Sequence, residues 1–390
     1  MFNNADMQLR STQMTDQSPR GGVHERRRGA LAASAEGRPE TSDVDAFLVT
    51  SQVNVRYLTG FTGSNGALIV GAGDRPRSGD RIGTDGRYTG QVAAQAGDLE
   101  AVIDRATASA LIAHATANGL RRIAVEGDDL TVSAFGRLRD AAESAGAELV
   151  PLDGCVARLR ITKDADEVAA IAAACRIGDE ALGALIDRGA IAPGRTERAV
   201  ARDLEWEMFG LGADAIAFET IVAAGAHSAI PHHRPTDAVL TVGDLVKIDF
   251  GAVVDGYHSD MTRTVVLGEP SAWQREIHAV VERAQQAGRD ALAVGADLRT
   301  IDAAARTVIA DAGYGEYYVH GLGHGVGLEI HEAPGIGAAA SGTLPDGATV
   351  TVEPGVYLPG RGGVRIEDTL VVAESGPRLL TTTPRTLRVL

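Results

Sequence analysis

The sequence predicts an α/β domain followed by an α+β domain built from two similar halves. Three observations point there. From Asp45 to about Leu152, short β-rich apolar runs alternate with alanine-rich helical stretches, the pattern of strands joined by crossover helices. Around Asp153–Thr162 that alternation stops, and a long amphipathic segment over 163–189 opens a different region. Within that region APGRTERAVARDLEWEMFGLGAD (192–214) resembles VGADLRTIDAAARTVIADAGYG (294–315). Each has a glycine-bearing turn, then Arg and Thr, then a helix, so two helix–strand halves related by a pseudo-twofold axis are expected. A length of 390 residues suits two domains.

The polar opening stretch, residues 1–22, reads as a flexible arm leading into a short helix. The Arg26-Arg27-Arg28 cluster is diluted by Glu25, Glu36 and Glu40, and the opening lacks the apolar core of a secretory leader. The first domain then spans 23–155. AFLVT (46–50), ALIV (67–70), RIAVE (122–126) and AELVPL (147–152) read as strands; 106–119 and 133–146 read as helices. GFTGSNG (60–66) reads as a glycine-rich turn between two strands and lacks the lysine of a phosphate loop. The second domain spans 156–390.

Composition excludes several classes. A hydrophobic fraction of 44% and a charged fraction of 23% are those of an ordinary globular chain. A net charge of −15 speaks against a nucleic-acid partner, which would need a basic face. No apolar run approaches the ~20 residues that span a bilayer. The two cysteines, Cys155 and Cys175, form no disulfide framework, which fits a reducing, cytoplasmic setting.

The chemistry begins at VKIDFGAVVDGYHSDMTRTVVL (246–267). Asp255-Gly256 between β-branched runs signals a two-residue hairpin turn. With residue 254 facing 257, residue 249 faces 262, and Asp249 and Asp260 become diagonal neighbours on one sheet face. As ordinary surface aspartates they would need a polar neighbourhood, and Val246, Ile248 and Val265 do not supply one. A buried ionised pair needs a cation or a shared proton. Glu353 after the apolar run TVTV, and Glu367 in GVRIED, raise the same question. Two divalent cations would balance these four carboxylates, and paired metals bridged by carboxylates and a water form a known hydrolytic device.

VHGLGHGVGLEIHEAP (319–334) gathers His320, His324 and His331 among glycines. Spacing alone does not choose the ligand among them. The glycines flanking His324 are expected to let the backbone crowd a metal; no register fits the dinucleotide motif G-x-G-x-x-G. In AAGAHSAIPHHRPTD (223–237), His232 is placed to reach a substrate carbonyl, whereas His227 and His233 read as solvated loop residues.

KIDFGAVVDGYHSDMTRT, HGLGHGVGLEIHE, TVEPGVY and GVRIED, in this order, resemble the pita-bread metallopeptidases, a group that includes methionine aminopeptidase, prolidase and aminopeptidase P. NVRYLTGFTGSNG (54–66) is similar to the creatinase/prolidase N-terminal domain, which narrows the likeness to the proline-directed branch. The resemblance implies an α/β N-terminal domain and an α+β pita-bread catalytic domain with pseudo-twofold symmetric halves. It implies two divalent ions per subunit, manganese foremost with cobalt or zinc as alternatives, held by Asp249, Asp260, His324, Glu353 and Glu367. Glu353 would also take a proton from a metal-bridging water, and His232 and His331 would hold the scissile carbonyl. His320 and Arg365 would line the substrate pocket or orient the ligands. The implied activity is hydrolysis of Xaa-Pro bonds in proline-containing peptides or dipeptides, by a homodimer without nucleic-acid or membrane partners. The competing reading is an inactive or metal-independent relative acting as a binding protein.

Overall fold

The computed structural model describes residues 21–35 and 43–390, and the chain forms two compact units that meet between Cys155 and Val156. Gly21 and Gly22 open helix α1 (Gly21–Ala33), so they are helical rather than part of an arm. The rest of the expected arm lies outside the described residues. Arginines of α1 are structural anchors. Arg27 donates to the Tyr57 carbonyl and Arg28, buried, to that of Leu58, both at 3.0 Å.

The first unit continues with β1 (Ala46–Val49), α2 (Gln52–Thr59), β2 (Gly66–Gly71), β3 (Arg81–Thr84), α3 (Thr89–Gln95) and β4 (Glu100–Ile103). It ends with α4 (Thr107–Ala117), β5 (Arg122–Glu126), α5 (Val132–Ser144) and β6 (Glu148–Leu152). One mixed sheet results, in the order β4-β3-β2-β1-β5-β6, with β1, β5 and β6 parallel and β2 antiparallel to both its neighbours. GFTGSNG therefore follows a helix, not a strand. Val55, Leu58 and Thr59 bury at helical spacing, and that packing overrides the strand preference of Val53 and Val55.

The second unit opens with α6 (Ala157–Arg160), α7 (Ala165–Asp187) and α8 (Glu197–Gly210). Asp164 caps α7 through a reciprocal capping box with Glu167. Then come β7 (Ala215–Ile216), β8 (Ile221–Ala224), β9 (Leu245–Phe250), β10 (Ala252–Val254), β11 (Tyr257–His258) and β12 (Met261–Val266). Helices α9 (Ala272–Asp290) and α10 (Leu298–Asp311) open a second set, completed by β13 (Gly323–Gly325), β14 (Glu332–Ile336) and β15 (Thr349–Val352). It closes with β16 (Gly355–Leu358), β17 (Gly362–Arg365) and β18 (Asp368–Val371).

The two halves repeat in detail. In the first, Gly194 N–H donates to Leu240 and Leu240 N–H to Arg195, at 2.9 and 2.8 Å. In the second, Gly295 donates to Leu344 and Leu344 to Ala296, at 2.8 and 3.0 Å. Thr196 caps α8 and Asp297 caps α10, each through its side-chain oxygen. Each half has its own core, with Leu182, Leu204 and Ile248 in one and Val281, Ile301 and Val350 in the other. The fold is thus the mixed α/β unit followed by paired α+β halves that the sequence implied.

Asp255 and Gly256 have φ of 47° and 74°, the left-handed geometry of a type I′ turn. Val254 pairs with Tyr257 and Asp249 with Thr262, the register expected from that turn. Among the described residues no helix is long and apolar enough to cross a membrane.

Candidate active site

Five segments in or beside strands of the second unit line one cleft of about 270 Å³. Asp249 comes from β9 and Asp260 from the link just before β12. His324 comes from the middle of β13, Glu353 directly follows β15, and Glu367 lies between β17 and β18. All five line the cleft, together with His232 and His331.

The distances are those of a shared centre. His324 Nε2 lies 3.5 Å from Asp260 Oδ2 and 3.5 Å from Glu353 Oε1. Asp260, His324 and Glu367 each offer a ligand atom, all within 4.8 Å of one another. Thr262 Oγ1 donates to Glu367 Oε2 at 2.6 Å, and His324 donates its backbone N–H to Thr351 Oγ1 at 3.1 Å. These bonds aim the ligands. The His331 ring stands edge-on to that of His324, centroids 4.5 Å apart.

The electrostatics demand positive charge. Burial, then the charges of Glu367, Asp249 and Glu353, push Asp260 well above the usual carboxylate range. Burial, then Glu353 and Asp249, do the same to Glu367. Glu353 is pushed up to about 8 by burial, with Arg365 opposing and Asp249 adding. Burial holds His324 down at about 4, neutral and able to ligate. Arg365, 1% exposed, is a guanidinium in direct contact with the cluster. It bonds Asp249 Oδ2, lies 3.9 Å from Glu353, and donates to Thr262 Oγ1 at 3.1 Å. The other Asp249 oxygen, Oδ1, is buried and has no hydrogen-bond partner among the described residues. A buried carboxylate oxygen left this way fits the role of a cation ligand. The donor set, carboxylates with one imidazole, suits hard to borderline divalent ions.

The other expected residues divide. His232 and His331 are in the cleft. His320 is not: it lines a second cavity, with Tyr318 and Ile336, and its Nε2 pairs with the Tyr357 hydroxyl at 2.8 Å. Tyr357 OH in turn accepts from Arg365 Nη1 at 2.8 Å, so this hydrogen-bond chain links His320 to the cluster.

Two expectations are corrected. The glycines around His324 do not make room for a metal. A Cβ at Gly321 would stand 2.7 Å from the Ile336 carbonyl oxygen, and one at Gly323 or Gly325 would press still closer on those of Thr351 and Ala333. Neighbouring strands, not an ion, require these glycines. His227 and His233 are not plainly solvated either. His233 is 8% exposed with Nε2 2.8 Å from Glu197 Oε2, and His227 Nδ1 lies 2.9 Å from Glu197 Oε1.

Glu197, at the start of α8, was invisible as a site residue because its partners lie far along the chain. Burial alone would raise its pKa. The Ala224 N–H, His233 and Thr236 outweigh burial and hold Glu197 down at about 2. A depressed carboxylate adds stability that is complete above its unfolded pKa and disappears as pH falls towards the folded value. Glu197→Gln is therefore expected to cost about 2–3 kcal/mol at pH 7, with the gap from wild type closing between pH 4.5 and about 2. Urea melts across that range check it; a gap independent of pH would contradict the charge assignment.

Residues 169–374 match the profile of Metallopeptidase family M24. The chain belongs to this family. Residues 35–162 match the Creatinase/Prolidase N-terminal domain. This M24 chain is 40% identical over 350 residues to a Bacillus subtilis protein named uncharacterized peptidase YqhT, covering 89% of this chain and 96% of that one. It is 45% identical over 240 residues to a Xaa-Pro dipeptidase of Pyrococcus furiosus, covering 62% and 68%. Among solved structures, a Xaa-Pro dipeptidase from Bacillus anthracis superposes with a TM-score of 0.86 at 37% identity, covering 94% of this M24 chain and all of that one. An X-Pro aminopeptidase from Thermotoga maritima gives 0.81 at 35%, covering 90% and 96%.

Proposed function

We propose that this M24 protein is a dinuclear metallopeptidase that hydrolyses Xaa-Pro bonds. The observation that supports it most is the buried Asp249 Oδ1, without a hydrogen-bond partner among the described residues, on a carboxylate that shares one cleft with Asp260, His324, Glu353 and Glu367. Asp249, Asp260 and Glu367 would hold one ion, and Asp260, His324, Glu353 and Glu367 the other, with Asp260 and Glu367 shared. When bound, such ions lower the pKa of a water towards neutrality and so supply a nucleophile.

The chain's own residues do the rest. Arg365 fixes Asp249 through Oδ2, and Oδ1 takes no hydrogen bond from the described residues. Glu353 would accept the proton that the attacking water gives up. His232 and His331 would donate to the carbonyl oxygen of the residue before proline and stabilise the charge it develops. A bond to proline has no N–H, so recognition of the scissile amide rests on its carbonyl. An inactive binding protein would have no need of a complete ligand set, and all five positions here carry ligating side chains.

Manganese is the ion we propose as native, with cobalt or zinc as alternatives, because carboxylates dominate the donors. A cytoplasmic homodimer is the proposed setting. EDTA is expected to abolish Xaa-Pro hydrolysis, and Mn²⁺ or Co²⁺ to restore it. Full activity in metal-free protein would sink the reading. Relatives titled dipeptidase and aminopeptidase both match this chain. Parallel assays of Xaa-Pro and Xaa-Pro-Yaa substrates decide between the two activities.

A further inference from the structure

We propose that Glu197 is a positioning residue for His232, acting through the loop that joins β8 to β9. The proposal rests on the reading of His232 as a substrate contact. The carboxylate is 0% exposed and takes donors from both sides of that histidine. Upstream, Oε1 accepts from Ala224 N at 2.9 Å and pairs with His227 Nδ1 at 2.9 Å. Downstream, Oε2 pairs with His233 Nε2 at 2.8 Å and accepts from Thr236 N and Oγ1 at 3.0 and 2.7 Å. The His227 and His233 rings stack, centroids 4.4 Å apart, which closes the loop on itself.

The carbonyls of the same loop are held from the opposite side. Lys247 Nζ donates to Ile230 O at 2.6 Å and Pro231 O at 2.9 Å, and Arg365 Nη1 to Pro231 O at 3.2 Å. His232 sits between these two sets of bonds. Its neighbours on each side are fixed, so its imidazole enters the cleft with little freedom left to lose when substrate arrives. Glu197 itself does not line the cleft.

Glu197, His227 and His233 also fit the spacing of a metal site, with ligand atoms within 4.8 Å of one another. Both carboxylate oxygens are already engaged by protein donors, which favours a hydrogen-bonded hub.

The test is a double-mutant cycle on Mn²⁺-loaded full-length protein with an Xaa-Pro dipeptide, comparing Glu197→Gln, His232→Ala and both. Glu197→Gln should lower kcat about tenfold or more with little change in KM, because a transition-state contact is lost. Added to His232→Ala it should cost less than about twofold further, since both act through one group. Losses that multiply would overturn the proposal, as would loss of a bound ion from Glu197→Gln by metal analysis. If Glu197→Gln fails to fold, His233→Asn and Thr236→Val take its place in the same cycle. Amide exchange gives a readout independent of turnover. In Glu197→Gln it should rise over 225–236 while β9 stays protected; unchanged exchange there would overturn the positioning role. A wild type that leaves Xaa-Pro bonds intact would instead refute the proposed function.

Discussion

Asp260→Asn is expected to lower Xaa-Pro hydrolysis by on the order of 10³ or more, since several kcal/mol of charge stabilisation would go and each 1.36 kcal/mol is about tenfold. Its effect on stability should depend on loading. Without metal, burial and the neighbouring Glu367, Asp249 and Glu353 push the Asp260 carboxyl well above the usual range, so the folded chain must either hold it ionised against repulsion or protonate it. Asparagine removes that cost, and the metal-free variant should melt higher than metal-free wild type, by roughly 2–4 °C for about 1 kcal/mol. With Mn²⁺ the order reverses, because wild type gains binding free energy that the variant has lost. Thermal melts of both proteins, stripped and loaded, check the crossing. A stripped variant that melts lower would mean that packing, not charge, rules this position.

The second large effect is Gly323→Ala. Its new Cβ would press on the Thr351 carbonyl, a backbone atom of β15 that cannot rotate away. Displacing the strand should cost about 3 kcal/mol or more, lowering Tm by roughly 6–12 °C. Because His324 is the next residue on β13, activity should fall with it even at temperatures where the protein stays folded. Gly335→Ala is the control: nothing lies within 4 Å of its Cβ, so Tm should hold. Equal Tm values for Gly323→Ala and wild type would show that the strands part easily.

The acids were legible because each breaks a local rule. Asp249 and Glu353 stand where apolar runs predict apolar neighbours, and the Asp255-Gly256 turn fixed the register that brings Asp249 and Asp260 to one face. The helix–strand halves were legible from repeated turn and capping residues at Thr196 and Asp297. What stayed hidden depends on contacts between distant segments. Nothing local marks Glu197 as the partner of a histidine 36 positions on. Lys247, fully buried and held by burial at about 6, reads in sequence as a routine strand lysine. The glycines beside His324 carried a true signal of close approach but not its partner, since a sequence names no neighbour. Helix α2 was missed as a helix because Val53 and Val55 favour a strand, and the burial that overrides them is a matter of packing.

The repeat in the second unit bears on how the protein is held together in use. Asp249 and Asp260 belong to its first half, while His324, Glu353 and Glu367 belong to its second. No fragment ending near Ser271 owns more than part of the cation cradle. If these side chains hold two cations, as proposed, the ions would act as a rivet across the seam between the twins, and loading should slow their parting.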